Sequence, residues 1–236
     1  GLLRSNKMKV LVLGDGLLGK EIVKQTGWDY ISRSKDKFDA LNPNFNSLIG
    51  EEHGVIFYPK YAIVVNCIAN TDSYSKDLQP HLEINYKFVT LLTEFCNKWK
   101  IKLVQISTEF VYANNNNPKE TDLPIPDNSW YAKTKLLADH YVSLMCSDYL
   151  ICRELHKSND FSPPKIWDVK TSGDRVKNIA PLIIKLINKK ATGIFNVGTG
   201  TKSYVDMYPK GKVVPPPSFV PKNTSMNLDK LNNYLK

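Results

Sequence analysis

The chain has 236 residues, with 32 Lys and Arg against 23 Asp and Glu, which gives a formal net charge of +9. With 42% hydrophobic and 11% aromatic residues, its composition is that of a globular protein and excludes a disordered, collagen-like or disulfide-scaffold chain. The lysines are scattered between apolar positions rather than gathered in a basic block. This charge therefore does not indicate nucleic-acid binding, and it suits small anionic ligands such as nucleotides.

Apolar strands alternate with helical stretches along the chain, which is typical of a parallel sheet covered on both faces. The spacing of apolar residues predicts helices over 88–99, from near Trp130 to 145, and over 176–187. A loop rich in Asn and Pro over 114–126 leads into the second helix, and loops of this length are often functional. The predicted strands are, in order, 9–13, 30–32, 62–67, 103–107, 149–152 and 193–197.

Metal and membrane signals are absent from the pattern. The four cysteines include no CxxC pair and the four histidines no HExxH, so we expect no metal site and a reducing cytoplasm. No apolar run approaches the roughly 18 residues of a membrane helix. Residues 1–7 lack the apolar core of a signal peptide, and Met8 is the expected native start. We therefore expect a cytoplasmic protein with no membrane partner.

A glycine-rich turn directly follows the first predicted strand and precedes a good helix start. Gly14 permits a tight turn, Gly16 lets the backbone approach a diphosphate, and Gly19 allows close packing of helix on strand. The helix N-terminus adds free N–H groups and partial positive charge. A purely structural turn is the alternative, but the strand-turn-helix context favours dinucleotide binding. The turn is Gly14-Asp15-Gly16-Leu17-Leu18-Gly19.

This turn indicates a Rossmann-type doubly wound parallel sheet of the α/β class. We expect a dinucleotide-binding domain over residues 1–153, including the helix after the long loop. A small substrate-binding lobe is expected over residues 154–236, with some segments returning to the central sheet.

The end of the second strand bears on which nicotinamide cofactor binds. A carboxylate there would bind a ribose 2′-OH, whereas a cation accommodates a 2′-phosphate. This sequence has Ser32-Arg33-Ser34-Lys35, whose guanidinium and hydroxyls suit a phosphate. NADPH is therefore the predicted cofactor and NADH the alternative. A solvated basic loop with no ligand is the other interpretation.

A tyrosine and a lysine lie four residues apart at the start of the helix after the long loop. Tyr131 and Lys135 therefore share one helix face, where an ammonium can lower the pKa of a phenol. Thr108 ends the fourth strand, at the sheet edge where ligands of such folds bind. A YxxxK spacing alone also fits a surface tyrosine beside a solvated lysine. Together with the glycine turn, it indicates a dehydrogenase.

Several stretches resemble the extended short-chain dehydrogenase/reductase superfamily, and within it the dTDP-4-dehydrorhamnose reductase family. Leu103 to Tyr112 is similar to that family's strand ending in Ser-Thr-Asp-Tyr-Val-Phe, and Trp130 to Lys135 to its Val-Tyr-Gly-x-x-Lys. Asn85 stands where the superfamily has a structural asparagine. The stretches 65–71, 193–198 and 221–231 are also similar to family segments.

The resemblance implies roles for individual residues. Tyr131 would protonate a substrate carbonyl, Lys135 would bind the nicotinamide ribose and lower the tyrosine pKa, and Thr108 would orient the carbonyl. Asn85 would support a proton-relay water. The implied cofactor set adds Asp39, Cys67, Ile68 and Ala69 to the glycine turn, Ser32, Arg33, Ser34, Tyr131 and Lys135. The implied substrate set is Thr108, Glu109, Phe110 and Arg153.

The implied activity is NADPH-dependent reduction of a nucleotide-linked 4-keto-6-deoxy sugar, in deoxysugar synthesis such as that of rhamnose. Dehydratases of the superfamily carry two adjacent acids after the threonine, whereas Glu109 is followed here by Phe110. A sugar-nucleotide epimerase stays open, as does a non-catalytic NADP-binding subunit like that of methionine adenosyltransferase. Pairing of the chain as a homodimer also stays open. After Arg153 the family has an aromatic stretch, and this chain has Glu154-Leu155-His156.

Overall fold

The computed structural model describes residues 8–236, so the expectation for residues 1–7 lies outside it. The helices are α1 (Leu17–Thr26), α2 (Arg33–Asp36), α3 (Leu78–His81), α4 (Phe88–Trp99), α5 (Trp130–Met145), α6 (Val176–Asn188), α7 (Tyr204–Met207) and α8 (Asp229–Tyr234). The strands are β1 (Val10–Leu13), β2 (Asp29–Ile31), β3 (Ile49–Glu52), β4 (Val55–Pro59), β5 (Ile63–Asn66), β6 (Lys102–Thr108), β7 (Tyr149–Glu154), β8 (His156–Lys157), β9 (Lys165–Trp167), β10 (Lys170–Thr171), β11 (Asp174–Arg175), β12 (Gly193–Asn196), β13 (Lys202–Ser203) and β14 (Lys212–Val214).

A six-stranded parallel sheet forms the centre of the molecule, in the order β12-β7-β6-β5-β1-β2. Its strands are the six predicted ones, and no strand end differs from its prediction by more than two residues. The predicted Rossmann-type α/β sheet is therefore confirmed. The chain runs from β1 to β2 on one side of β1 and continues with β5 on the other. This reversal opens a crevice at the carboxyl ends of β1 and β5.

Both faces of the sheet are buried, as the continuous apolarity of its strands predicts. Successive side chains of a strand point to opposite faces, so β1 contributes Val10 and Val12 to one core and Leu11 and Leu13 to the other. The first core is covered by α1 and α6, and the second by α4 and α5. The helices thereby fix the strand ends that surround the crevice.

The C-terminal third contributes to the central layers as well as to smaller pairs of strands. From residues 154–236, α6 packs on one face of the sheet and β12 extends its edge beside β7. This third also forms three short two-stranded pairs, β8 with β11, β9 with β14 and β10 with β13. The division at residue 153 stays a prediction. Within residues 8–236, no helix combines the length and the apolarity that crossing a membrane requires.

Candidate active site

A cavity of about 420 Å³ lies in the crevice at the carboxyl ends of the central strands. Its walls include the glycine turn after β1 and the segment after β5, together with Tyr131 and Lys135 of α5. The structure thus brings together most of the residues predicted for the cofactor. Those lining the cavity are Gly14, Asp15, Gly16, Leu17, Leu18, Gly19, Arg33, Asp39, Cys67, Ile68, Ala69, Tyr131 and Lys135.

The three glycines of the turn occupy three different environments. Gly14 has a φ of +95°, a left-handed conformation that favours glycine. A Cβ on Gly19 would overlap the Gly14 carbonyl, so α1 could not pack so closely against the turn. A Cβ on Gly16 would meet nothing within 4 Å. Gly16 therefore stands beside open cavity space at the N-terminus of α1.

The basic segment after β2 presents one of its residues to the cavity, Arg33. Ser32 is buried and caps α2, where its hydroxyl accepts a hydrogen bond from the Lys35 backbone N–H at 3.1 Å. The Lys35 ammonium donates to the Tyr30 carbonyl at 2.8 Å. Ser34 donates to the Asp15 carboxylate at 2.6 Å. Ser32 was expected to contact the cofactor, but its hydroxyl is used for capping, because β2 ends one residue earlier than predicted.

The catalytic candidates are positioned by the first turn of α5 and the end of β6. Ser129 caps α5 by accepting a hydrogen bond from the Ala132 backbone N–H at 3.1 Å, which fixes the turn that carries Tyr131. The Lys135 ammonium is buried and donates to the Ile106 carbonyl at 2.7 Å. Thr108 is buried at the end of β6, where its hydroxyl accepts a hydrogen bond from the Phe110 backbone N–H at 3.2 Å and lies close enough to Tyr131 to influence its pKa. The Phe110 ring packs edge-on against Tyr131 at 6.1 Å between centroids.

Burial dominates the electrostatics of this cluster. It raises the pKa of Tyr131 above its usual value, the charge of Glu154 raises it further, and the hydrogen bond with Thr108 opposes both. Burial lowers the pKa of Lys135, against the opposing charges of Asp139 and Glu154. The sequence predicts that Lys135 lowers the pKa of Tyr131. In the structure the pKa of this tyrosine is raised instead. Its phenol is held in the protonated form.

Asn85 does not line the cavity; it connects α5 to the loop that follows β5, which we call the crevice loop. It lies in a π-helical stretch, Leu82–Lys87, that precedes α4. Its side chain accepts from the Asn70 N–H at 2.8 Å and donates to the Asn70 carbonyl at 3.1 Å. It also donates to the Thr134 hydroxyl at 3.2 Å. This network ties the loop after β5 to the helix of Tyr131, so Asn85 is a positioning residue.

None of the four residues of the implied substrate set is among those that line the cavity, and two of them lie in the interior. The Glu109 carboxylate is fully buried and accepts hydrogen bonds from Thr171 and Thr224. The Arg153 guanidinium donates to Asp139 at 2.9 Å and to Tyr112 at 2.5 Å. Both side chains are satisfied by distant parts of the chain, so their expected substrate contacts do not agree with the structure.

Other cavity residues were not assigned from the sequence. Glu154 is the last residue of β7, His156 lies two residues further on, and Ser107 precedes Thr108 on β6. The rule that ligands bind at carboxyl strand ends could have identified these three. No sequence pattern of this kind identifies most of the other lining residues, which are largely aliphatic or aromatic. The remaining unassigned lining residues are Phe38, Ala40, Leu41, Thr71, Ile84 and Ile106.

A second cavity, of about 570 Å³, lies beside the N-terminus of α5. Three aromatic side chains, Tyr74, Trp130 and Phe219, line it together with Lys76. All three are more than a third exposed. The two cavities adjoin, because Thr71 and Tyr131 line the first while their near neighbours Tyr74 and Trp130 line the second. Within residues 8–236, no cluster of His, Cys, Asp or Glu is arranged to hold a metal ion.

A family model agrees with this architecture. The model described as the RmlD substrate binding domain matches residues 8–155, which is more than half of the chain. The chain belongs to the RmlD substrate binding domain family. The resemblance to the extended short-chain dehydrogenase/reductase superfamily is thereby confirmed. No curated protein matches the chain at a significant level.

Solved structures similar to this RmlD family member share its fold. A dTDP-4-dehydrorhamnose reductase from Clostridium acetobutylicum is 22% identical over 93% of this chain and 90% of its own, with a TM-score of 0.74. One from Bacillus anthracis, in complex with NADP, is 19% identical over 96% and 92%, with a TM-score of 0.77. A UDP-glucuronic acid 4-epimerase from Bacillus cereus, in complex with NAD, is 18% identical over 97% and 90%, with a TM-score of 0.74.

Proposed function

We propose that the protein is an NADPH-dependent reductase of a nucleotide-linked 4-keto-6-deoxy sugar. One observation carries the proposal: a single cavity joins a glycine turn at a helix N-terminus to Tyr131 and Lys135. Reductases of dTDP-4-dehydrorhamnose share the fold over more than nine-tenths of this chain. The product would enter deoxysugar synthesis such as that of rhamnose.

The cavity fits a dinucleotide. The open space at Gly16 and the free backbone N–H groups of the first turn of α1 would hold a diphosphate. Cys67, Ile68 and Ala69 would lie against the nicotinamide half, and Lys135 would hold its ribose. NADPH, when bound, would supply a hydride to the substrate carbonyl carbon.

The charges near α2 support NADPH over NADH. Arg33 lines the cavity from an exposed position and suits a 2′-phosphate. Asp36 turns away from the cavity and accepts a hydrogen bond from the Ser32 backbone N–H at 3.0 Å. Asp39 also lines the cavity, and its carboxylate would suit a ribose 2′-OH. It is the residue that keeps NADH open as the alternative cofactor.

Tyr131 would act as the proton donor to the carbonyl oxygen. A reductase needs a protonated phenol before each turnover, and burial together with Glu154 keeps this one protonated at neutral pH. The Thr108 hydroxyl, next to that of Tyr131, would orient the carbonyl. A positioned acid of this kind contributes about 10²–10⁴-fold to the rate. Asn85 would keep the crevice loop and α5 in fixed relative positions.

The second cavity would take the nucleotide part of the substrate. Its three exposed aromatic rings suit stacking against a base, and Lys76 would meet a phosphate. We further propose a cytoplasmic location, supported by four cysteines that are all free thiols. Assembly as a homodimer stays a proposal as well.

The test is NADPH oxidation with a dTDP-4-keto-6-deoxyhexose. Net oxidation with formation of the reduced sugar would support the reductase. Epimerised sugar without net NADPH consumption would support the epimerase instead. Tight NADPH binding with no turnover of any ketosugar would support a regulatory subunit.

A further inference from the structure

Glu154 and His156 form a polar pair at the end of β7, inside the candidate active site. Glu154 stands in register with Thr108 on the neighbouring strand β6. Residues in register on parallel strands point to the same face of the sheet, so its side chain points to the same face as that of Thr108. At this end of the strands its charge also acts on the Tyr131 phenol. Both members of the pair line the cavity that holds Tyr131. Glu154 is thus a buried charge next to the proposed proton donor.

The geometry of the pair leaves one nitrogen of His156 available. Nδ1 lies 3.0 Å from both carboxylate oxygens of Glu154. The Glu154 side chain is 4% exposed and that of His156 25%, so the imidazole separates the carboxylate from solvent. The other nitrogen, Nε2, makes no hydrogen bond with any residue from 8 to 236. With Nδ1 donating to Glu154, the orientation of the ring is fixed and Nε2 is free for a ligand.

Other charged groups around His156 have partners of their own. Asp174, in register with it on β11, accepts hydrogen bonds from Thr199 at 2.6 Å and Asn178 at 3.0 Å. Arg175 donates to the Asn159 carbonyl at 2.5 Å. The ammonium of Lys157 lies over the rings of Phe161 and Tyr204, and its pKa is influenced by the charge of Glu109. Lys177 is exposed at the start of α6. The remaining titratable groups of the cavity wall are Tyr131, Lys135 and the neutral Cys67 thiol.

We propose that His156, oriented by Glu154, binds the sugar nucleotide by donating a hydrogen bond from Nε2 to a substrate oxygen beside the reacting carbon. This inference rests on the proposed function, because it needs a sugar nucleotide in the cavity. It assigns a substrate-binding role to the position where related sequences carry an aromatic stretch. Glu154 acts through His156 and is a positioning residue.

The pair makes substrate binding depend on pH. Burial would lower the pKa of His156, but the charge of Glu154 and the hydrogen bond to it raise the pKa above its usual value. The imidazolium form, with N–H groups at both nitrogens, therefore persists to higher pH than in a free histidine and is lost as the pH rises through the raised pKa. The affinity for substrate should decline over the same range.

The decisive comparison is His156→Gln against wild type, with His140→Gln as the matched control. His140 is an exposed histidine of α5 outside the cavity. We expect His156→Gln to raise KM by about 10- to 100-fold, the range for hydrogen bonds to charged groups, with kcat much less affected. The KM of wild type should rise with pH, and that of His156→Gln should be flat. Glu154→Gln should move the rise to lower pH, and His140→Gln should match wild type.

The inference would be overturned if His156→Gln left KM unchanged, or if it weakened only the binding of NADPH. Neither result would contradict ketosugar reduction itself. If wild type turns over no ketosugar, calorimetry with thymidine diphosphate-glucose decides the matter independently. Weaker binding to His156→Gln would then support the role, and equal binding would overturn it. Should His156→Gln not fold, the ¹⁵N shift of His156 Nε2 in the wild type replaces it. That shift must move when the nucleotide sugar is added.

Discussion

The substitution Gly16→Ala tests whether a diphosphate lies against the glycine turn. Gly16 has a φ of −67° and a ψ of −170°, which alanine adopts without strain. The added Cβ would meet no atom within 4 Å. It would instead project into the space where the diphosphate is proposed to approach the N-terminus of α1.

Two small effects on stability should nearly cancel in this variant. Alanine restricts the unfolded chain, which stabilises by about 0.4–1 kcal/mol. Alanine is also a poorer N-cap than glycine, which costs on the order of 0.5 kcal/mol. We therefore expect the free energy of unfolding to stay within about 0.5 kcal/mol of wild type, while NADPH binding falls by an order of magnitude or more because a methyl group replaces close contact with the phosphates.

Gly19→Ala is the matched comparison from the same turn. Its Cβ would overlap the backbone carbonyl of Gly14, and overpacking of this kind costs about 1–3 kcal/mol. The helix propensity of alanine offsets about 1 kcal/mol of this cost. The net loss is therefore up to about 2 kcal/mol, which corresponds to a fall in Tm of at most about 4–8 °C. Thermal unfolding and fluorescence titration with NADPH separate the two variants. Wild-type NADPH affinity in a stable Gly16→Ala would refute diphosphate binding at this turn.

Four further substitutions address the remaining groups. Tyr131→Phe should lower kcat by about 10²–10⁴-fold while leaving the Kd for NADPH unchanged; an unaltered kcat would exclude the phenol as the acid. Arg33→Ala should weaken NADPH by about tenfold at low salt and leave NADH nearly unchanged, and equal losses would remove the assignment of the 2′-phosphate. Arg153→Met leaves the Asp139 carboxylate buried without its cation, so denaturant unfolding should show a loss of about 3–5 kcal/mol. Burial raises the pKa of Glu109 from 4.5 to about 7, so its stabilising effect is complete below 4.5 and lost as the pH rises through about 7; Glu109→Gln should flatten that decline, and an unchanged pH profile of unfolding would contradict it.

The sheet was predictable from the sequence because each of its strands is buried on both faces. A strand such as β5 reads as a short continuous apolar run, which is the pattern of a strand covered on both faces. The β3–β4 hairpin was not predicted, since Ile49–Glu52 mixes glycine and acids with one apolar residue. The π-helical turn at Leu82–Lys87 was not predicted either. Its apolar spacing differs from that of an α-helix by one residue, too little to identify in a single sequence.

The interior position of Arg153 depends on a contact that sequence spacing does not reveal. Asp139 lies on α5 and Tyr112 in the turn after β6, and both reach the guanidinium only once those elements pack together. Glu109 is similar, because Thr171 and Thr224 lie 62 and 115 residues away along the chain. A charged residue at a strand end is therefore compatible with either a ligand contact or a buried interaction within the chain. Which of the two forms depends on whether the fold brings a polar partner from a distant part of the sequence next to it.

The cavity residues follow a simpler geometric rule. Parallel strands deliver the residues after their carboxyl ends to one edge, so the segments after β1, β5, β6 and β7 must meet there. The rule includes Glu154 and His156 as readily as Gly16 and Cys67, although no familiar motif contains the first two. A motif identifies chemistry that recurs among related proteins, whereas strand topology also identifies positions where one chain departs from them. Glu154 and His156 are such departures, and both line the cavity that also holds Tyr131. We therefore expect the specificity of this chain to differ from that of its relatives at these two positions.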